Sequence, residues 1–152
     1  MDNSDIEMIE FLKEREAHIG SRIIYRTYSL FYGANTGEKR EWGVFLYSDG
    51  NRFIFEDFDR KPRFLGIEMN TSKRPKYEKM ERSFMKDDVY SITKVTRSSA
   101  MEVIAKRAES AKPASGFSKT FRKTLTEVRL KDGTRYYFEL MDQKELEAIF
   151  RK

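Results

Sequence analysis

The sequence predicts an α+β fold in which about seven antiparallel strands are followed by a C-terminal helix. Three observations carry this prediction. The 12 Phe and 8 Tyr residues favour strands. Seven short segments alternate apolar and polar side chains or are rich in β-branched and aromatic residues. The last quarter of the chain shows a strand, a tight turn, a strand and a helix in succession. At 152 residues, we expect one domain.

The first segment of the chain predicts a helix. Ser4 and Glu7 have the spacing of a capping box, and apolar residues recur after them at helical intervals. We expect a helix over residues 5–17 that ends before Gly20. Residues 1–20 are then an addition to a β-rich domain formed by residues 21–152.

The seven predicted strands are separated by turn-forming residues. Between the second and third strands, the sequence Ser-Asp-Gly-Asn indicates a hairpin with an even-numbered loop. That loop would pair Leu46 with Phe53 and Val44 with Phe55. The polar segment 70–82 is expected to be an exposed loop. The predicted strands are residues 22–32, 41–47, 52–58, 64–69, 88–96, 121–130 and 134–140.

The register of the last hairpin follows from its apolar residues. A two-residue loop at Asp132-Gly133 would put the apolar sets of the two strands on opposite faces. A three-residue loop with Gly133 in the left-handed conformation instead pairs Val128 with Tyr136 and Thr126 with Phe138. We therefore predict the three-residue loop.

Two further helices are predicted from caps and apolar spacing. Ser98 and Ser99 can cap a helix that continues to about Ala111. Asp142, with Glu145 three residues later, has the spacing of a second capping box. The residues after it place apolar side chains on one face of a short helix, which we expect to lie against the sheet.

This order of elements resembles the pleckstrin-homology-like fold, including the related GRAM-type domains. The resemblance covers about residues 22–150 and rests on seven strands followed by one helix. It implies a split β-barrel, in which two nearly orthogonal sheets leave one corner that the C-terminal helix blocks. The N-terminal helix and the helix over residues 98–111 are then additions. The resemblance also implies partner binding along a strand edge or near the loops at the open end.

Charge is segregated along the chain. The net charge is +5, but residues 1–59 hold 7 basic and 12 acidic side chains, whereas residues 60–123 hold 17 basic and 7 acidic ones. This asymmetry indicates an anionic partner. The basic side chains that we single out as candidate ligand-binding residues are Lys39, Arg40, Lys73, Arg74, Lys76, Lys119, Arg122 and Lys123.

The residue content argues against an enzyme. The chain has no cysteine and one histidine, and it contains no glycine-rich phosphate loop. Glu56, Asp57 and Asp59 could ligate a hard cation, but they lack the spacing of a calcium loop and are more simply a solvated strand end. We therefore expect no catalytic residues, no metal and no cofactor.

The function that the sequence predicts is a non-enzymatic binding or adaptor module with a protein partner or an anionic ligand. The alternative is a nucleic-acid-binding domain that uses the basic segment 60–123. Acidic lipid is a third partner class. The first residues do not resemble a signal peptide, and no apolar run approaches the about 18 residues needed to span a bilayer, so we expect a cytoplasmic protein. The oligomeric state is left open.

Overall fold

Seven antiparallel strands and three helices form most of the described part of the protein. The computed structural model describes residues 3–57, 63–64, 67–68, 80–116, 123–140 and 142–151. The helices are α1 (Asn3–Ile19), α2 (Arg97–Ile104) and α3 (Gln143–Phe150). The main strands are β1 (Tyr25–Ala34), β2 (Lys39–Ser48), β3 (Arg52–Asp57), β6 (Glu81–Met85), β7 (Val89–Thr96), β8 (Thr124–Leu130) and β9 (Arg135–Glu139), and the two-residue strands β4 (Arg63–Phe64) and β5 (Ile67–Glu68) pair with each other.

The main sheet has the spatial order β6–β3–β2–β1–β9–β8–β7. It is not closed, because β6 and β7 stand at opposite ends of that order. The same two strands are nevertheless consecutive in the chain and are joined by a single 3₁₀ turn, Lys86–Asp88. The sheet must therefore curl until its two edges converge at this turn. These observations establish a mixed fold with one open antiparallel sheet.

Both faces of the sheet are apolar, and we call the two faces inner and outer. The inner face carries the largest buried cluster, and α3 closes over it with Leu146, which is 2% exposed. The Phe150 ring stacks on Phe53 at a centroid distance of 5.2 Å. The predicted covering of the sheet by the C-terminal helix is confirmed. None of the described helices combines the length and apolarity needed to cross a bilayer.

Two helices cover separate parts of the outer face. The second half of α1 lies on β2 and β3, where Phe11 contacts the Phe45 ring edge to face at 5.1 Å. Helix α2 lies on the other half of the sheet and buries Val103 and Ile104 against Tyr137. Much of the sheet is thus covered on both sides, which explains why its strands carry apolar residues at both parities.

The β8–β9 hairpin has the predicted register. Val128 pairs with Tyr136 and Thr126 pairs with Phe138. Gly133 has a φ of 96°, and the carboxylate of Asp132 accepts a hydrogen bond from the Thr134 backbone N–H at 2.8 Å. The three-residue loop is confirmed, because only this loop brings the apolar sets of both strands to one face.

The β2–β3 hairpin has a different register from the predicted one. Leu46 pairs with Phe55, and Ser48 pairs with Phe53. The cause is Asp49, whose Oδ1 accepts hydrogen bonds from the backbone N–H groups of Asn51 and Arg52, both at 2.9 Å. This side-chain capping stabilises a turn that is centred one residue further along the chain than the predicted one. The apolar residues still share a face, since the shift is an even number of residues.

The predicted strand over residues 64–69 is wrong as a member of the main sheet. Residues 63–64 and 67–68 form the separate β4–β5 pair, and the seventh strand of the main sheet is β6. Two of its residues, 81 and 82, fall in the segment that we expected to be a loop. The sequence of β6, Glu-Arg-Ser-Phe-Met, has almost no alternation of apolar and polar residues, and Phe84 is its one buried residue. This strand was therefore not predicted.

Two helix predictions need correction at their ends. Helix α2 ends at Ile104 and does not continue to Ala111, because Lys106 adopts a φ of 62°. The chain then returns along β7, where the Ala114 N–H donates to the Lys94 carbonyl at 2.8 Å. At the other helix, α1 begins at Asn3, so its predicted N-terminal cap lies inside the helix.

The predicted capping box of α3 is not formed. Asp142 occupies the N-cap position, but its side chain makes no capping hydrogen bond. Its carboxylate instead accepts a hydrogen bond from the Tyr25 hydroxyl at 3.1 Å. Burial of Tyr25 and the negative charge of Asp142 raise the pKa of this phenol well above its usual value. The carboxylate therefore ties the start of α3 to the first strand.

A buried ion pair holds α1 on the sheet. The guanidinium Nε of Arg15 donates to the Glu56 carboxylate at 2.5 Å, and the Glu56 side chain is 4% exposed. The Arg15 guanidinium also lies 4.1 Å from the centre of the Phe11 ring. One turn later, His18 lies 3.1 Å from Glu81 on β6. Since Glu56 faces α1, the predicted solvated strand end at residues 56–57 is wrong.

We predict that Arg15→Ala destabilises the protein by about 2–3 kcal/mol, because it leaves the buried Glu56 carboxylate without this cation. Urea unfolding followed by circular dichroism measures the change. Arg107→Ala is the matched control, since its partner Glu102 is on the surface, and it should cost less than about 1 kcal/mol. Equal losses in both variants would contradict a special role for the Arg15 pair.

Gly33 is a second position with a large expected effect. Its φ is 147°, and a Cβ atom added there would lie 2.1 Å from the Glu38 carbonyl oxygen. Gly33→Ala should therefore cost about 3 kcal/mol or more. Gly20→Ala is the control, because Gly20 also has a positive φ, 88°, but nothing within 4 Å. It should cost about 1 kcal/mol, the price of the conformation alone. Thermal unfolding of both variants separates the clash from the backbone strain.

Tyr47 predicts a loss of stability at alkaline pH. Burial, followed by the charges of Glu56 and Glu81, raises the pKa of Tyr47 to about 12 from the ordinary 10.0. Above pH 10.0 the unfolded chain loses this proton while the folded protein keeps it, so stability falls between pH 10.0 and about 12.

Tyr47→Phe should reduce that loss. At neutral pH it should change the free energy of unfolding by less than about 1 kcal/mol, because the hydroxyl is buried without a hydrogen-bond partner among the described residues. Denaturant titrations at pH 7 and above pH 10 measure both effects. An unchanged alkaline loss in Tyr47→Phe would contradict the assignment to this phenol.

Candidate functional site

A groove runs between the first half of β7 and the C-terminal end of α3. It has a volume of about 510 Å³ and is open to solvent. We call it the β7–α3 groove. Its lining residues come from the 3₁₀ turn, from β7, from the β8–β9 turn and from α3, and they are Lys86, Asp87, Val89, Tyr90, Ser91, Ile92, Lys131, Glu147, Phe150 and Arg151.

The β7 side of the groove is an open strand edge. The Lys94 carbonyl accepts from Ala114, and the Thr96 N–H donates to the Lys112 carbonyl, so these groups point away from β8. Because backbone groups alternate along a strand, the N–H and C=O of Ile92 point to the same side. Among the described residues, no strand pairs with β7 on that side before Lys94.

A bulge at Tyr90 shapes the entrance of the groove. Val89 pairs with Leu130 and Ser91 pairs with Arg129, so Tyr90 is an extra residue on β7. Its side chain is 67% exposed, and the Arg129 guanidinium lies 4.9 Å from the centre of its ring. A bulge of this kind redirects side chains and often occurs near binding sites. The bulge leaves an accessible aromatic ring beside the open backbone.

Apolar residues form the floor. Val89, Ile92 and Phe150 are partly buried and pack against the inner cluster. Phe150 is held in place from below by its stacking on Phe53, which in turn stacks on Phe84 at 5.2 Å. The Phe150 part of the floor is therefore well packed, since its ring stacks on the buried Phe53 ring.

Basic side chains are in excess at the rim. Lys86, Lys131 and Arg151 line the groove, together with the acidic Asp87 and Glu147. Arg151 lies 3.6 Å from Glu147, with a side chain that is 78% exposed, so solvent screens this pair. The Lys131 backbone N–H donates to the Asp88 carbonyl at 2.8 Å, which fixes the β8–β9 turn against the 3₁₀ turn. The rim thus has a net positive charge on a well-held frame.

The described members of the predicted binding set lie elsewhere. Arg40 donates to Glu38 at 2.6 Å and lies 4.6 Å from the centre of the Trp42 ring. Lys39 lies 4.0 Å from Glu41. Arg82 also pairs with Glu38, so this carboxylate takes up much of the local positive charge.

Lys123 lies on the opposite face of the sheet from Arg40. It pairs with Glu139 at 3.4 Å, and a hydrogen bond with Tyr32, followed by the charge of Glu139, raises its pKa. The Arg40 guanidinium lies over the ring of Trp42. Trp42 pairs with Phe31, whose side chain is on the inner face, so Arg40 is on the inner side. The remaining predicted residues, Lys73, Arg74, Lys76, Lys119 and Arg122, lie outside the described residues. The structure therefore does not bring Lys39 and Arg40 together with Lys123.

The carboxylates weighed as cation ligands also separate. Adjacent strand residues point to opposite faces, so Glu56 faces α1 while Asp57 accepts a hydrogen bond from the Met80 N–H at 3.0 Å. Asp59 lies outside the described residues. Across the part of the chain that the structure describes, no three acidic or histidine side chains could hold a metal ion together.

A second cavity of about 380 Å³ lies at the end of α2 and is lined in part by Lys106 and Arg107. Arg107 pairs with Glu102 at 3.2 Å. The β7–α3 groove is larger, at about 510 Å³, and lies beside the open edge of β7, so it is the stronger candidate. Sequence reasoning missed this groove, because its lining residues come from parts of the chain that are far apart.

Comparison with known proteins adds no assignment. No protein-family model matches the chain, and no curated protein matches it. The geometry and charge of the groove are therefore the basis for a function.

Proposed function

We propose that the protein is a non-enzymatic, cytoplasmic binding module whose β7–α3 groove takes an extended segment of a partner protein. The observation that carries the proposal is the open edge of β7 beside an apolar floor. A segment that adds as a strand gains backbone hydrogen bonds from β7, while alternate side chains reach the floor.

The fold supports this proposal. We infer a pleckstrin-homology-like split barrel, because the sheet is curled, open between β6 and β7, and covered at that opening by α3. The β4–β5 pair and helices α1 and α2 are then additions. Binding along a strand edge is common for this fold, and β7 is the edge that lies beside the C-terminal helix.

The chemistry of the groove defines the segment. Ile92 and Phe150 call for an apolar side chain at the floor. Lys131 and Arg151 favour acidic side chains at the rim. The expected ligand is therefore an extended peptide with an apolar residue and one or two acidic residues, and the affinity should be modest because β7 offers only a short edge.

Selection from a displayed peptide library, followed by calorimetry with the enriched peptide, tests the proposal. If the peptide adds as a strand, only every second backbone N–H of the peptide can donate a hydrogen bond to β7. N-methylation at alternate residues, whose N–H groups face β7, should abolish binding, and N-methylation at the residues between them should have little effect. A peptide indifferent to N-methylation at every position would contradict strand addition.

Charge reversal at the rim gives a matched pair of variants. Lys131→Glu combined with Arg151→Glu should weaken an acidic peptide by about tenfold or more, since two attractive contacts become repulsive. Lys144→Glu is the control, because Lys144 is exposed on the same helix but does not line the groove. Equal losses in both would assign the effect to net charge alone.

The nucleic-acid alternative is tested with the same protein. We expect a fluorescent single-stranded RNA to bind weakly, if at all, at physiological salt. Tight RNA binding that falls steeply with salt, together with no enriched peptide, would favour the alternative.

A further inference from the structure

The outer face of the sheet carries an apolar patch at some distance from the groove. Helix α1 covers β2 and β3 with its second half only, and residues 3–10 at its start are exposed. Ile6, Met8 and Ile9 are each 41–42% exposed there. On β1, Tyr28 is 50% and Leu30 is 41% exposed. We call Met8, Ile9, Tyr28 and Leu30 the outer apolar patch, since Ile6 lies two residues before Met8 and projects from the other side of the helix.

The two parts of this patch are neighbours. Phe11 contacts Phe45 at 5.1 Å, and Phe45 contacts Tyr28 at 5.2 Å. Met8 precedes Phe11 by one helical turn, and Leu30 follows Tyr28 on the same face of β1. The start of α1 and the outer face of β1 therefore form one continuous surface that no described element covers.

The charges around the patch are segregated in the same way. Glu7, Glu10 and Glu14 recur at helical spacing, so one side of α1 is acidic. On the β1 side, Arg26 is exposed next to Tyr28 and supplies the basic charge. Lys123 also lies near Leu30, where it pairs with Glu139, the residue opposite Leu30 on β9. The acidic helix repels an anionic membrane surface, so the charges favour a protein as the occupant.

We propose that this patch is the contact between two copies of the chain, related by a two-fold axis. Such an axis places the acidic helix of one copy against the basic side of β1 in the other, and does so twice. Met8 and Ile9 of each copy then cover Tyr28 and Leu30 of its partner copy. In this arrangement, the apolar residues of each copy are covered and each acidic helix faces basic side chains of the partner copy.

Analytical ultracentrifugation over a range of concentrations tests this proposal, with folding of each variant checked by circular dichroism. The wild-type protein should dimerise. Leu30→Asp and, separately, Met8→Asp should each raise the dissociation constant by about tenfold or more, because an aspartate would be buried in the contact. Met85→Asp is the control, since Met85 is 45% exposed on β6, and it should leave dimerisation unchanged.

A charge exchange makes the test specific to the two-fold arrangement. Glu7→Lys with Glu10→Lys should weaken the dimer, and Arg26→Glu with Lys123→Glu should weaken it as well. Mixing these two double variants should restore association as a mixed dimer, since every acid–base contact is then attractive again.

Several results would overturn the proposal. A wild-type protein that stays monomeric at all concentrations would do so, as would a dimer that tolerates both aspartate variants. Failure of the two charge variants to form a mixed dimer would exclude this two-fold contact. Binding of a monomeric protein to anionic vesicles through Leu30 would assign the patch to a membrane. None of these outcomes bears on the β7–α3 groove, which lies on the inner side.

Discussion

The packing of Phe31 is the contact on which the rest of the structure depends. Phe31 lies on β1, the strand that joins the two halves of the sheet through its pairing with β2 and β9. Its ring contacts Phe55 at 5.0 Å and Phe138 at 5.3 Å, so it packs against residues from both halves. Phe55 and Phe138 also contact each other edge to face at 5.1 Å. Aromatic pairs of this kind add specific geometry to the apolar area that they bury.

The alternation of apolar and polar residues predicted strands and their pairing well in segments where every second residue is apolar. The β8–β9 register followed from the positions of Val128 and Tyr136, since only one loop length aligns them. The β2–β3 register could not be predicted in the same way, because two loops of even length keep the apolar residues together. The choice between them was made by the Asp49 carboxylate, which caps the observed turn by accepting hydrogen bonds from Asn51 and Arg52.

Features that depend on contacts distant in the chain were harder to predict. Helix α2 ends early although Ala108 and Ala111 continue the apolar spacing, because the chain returns to pair with β7. The charge of Arg40 is offset by Glu38, which also binds Arg82 from another strand. The β7–α3 groove requires two elements that are far apart in the chain. The sequence predicted β7 and α3 as separate elements, but it did not predict that they lie side by side.

The pairing of β1 with β9 has a consequence for folding. The other pairs of the main sheet join strands closer in the chain, whereas Leu30 and Glu139 pair across most of its length. Closing so long a loop costs more chain entropy than forming any of the hairpins, so this pairing should be the late and slow step. Helix α3 follows β9 directly and reaches Phe53 only after that step. A nascent or partly folded chain therefore lacks the groove, which forms only when assembly of the sheet and α3 is complete.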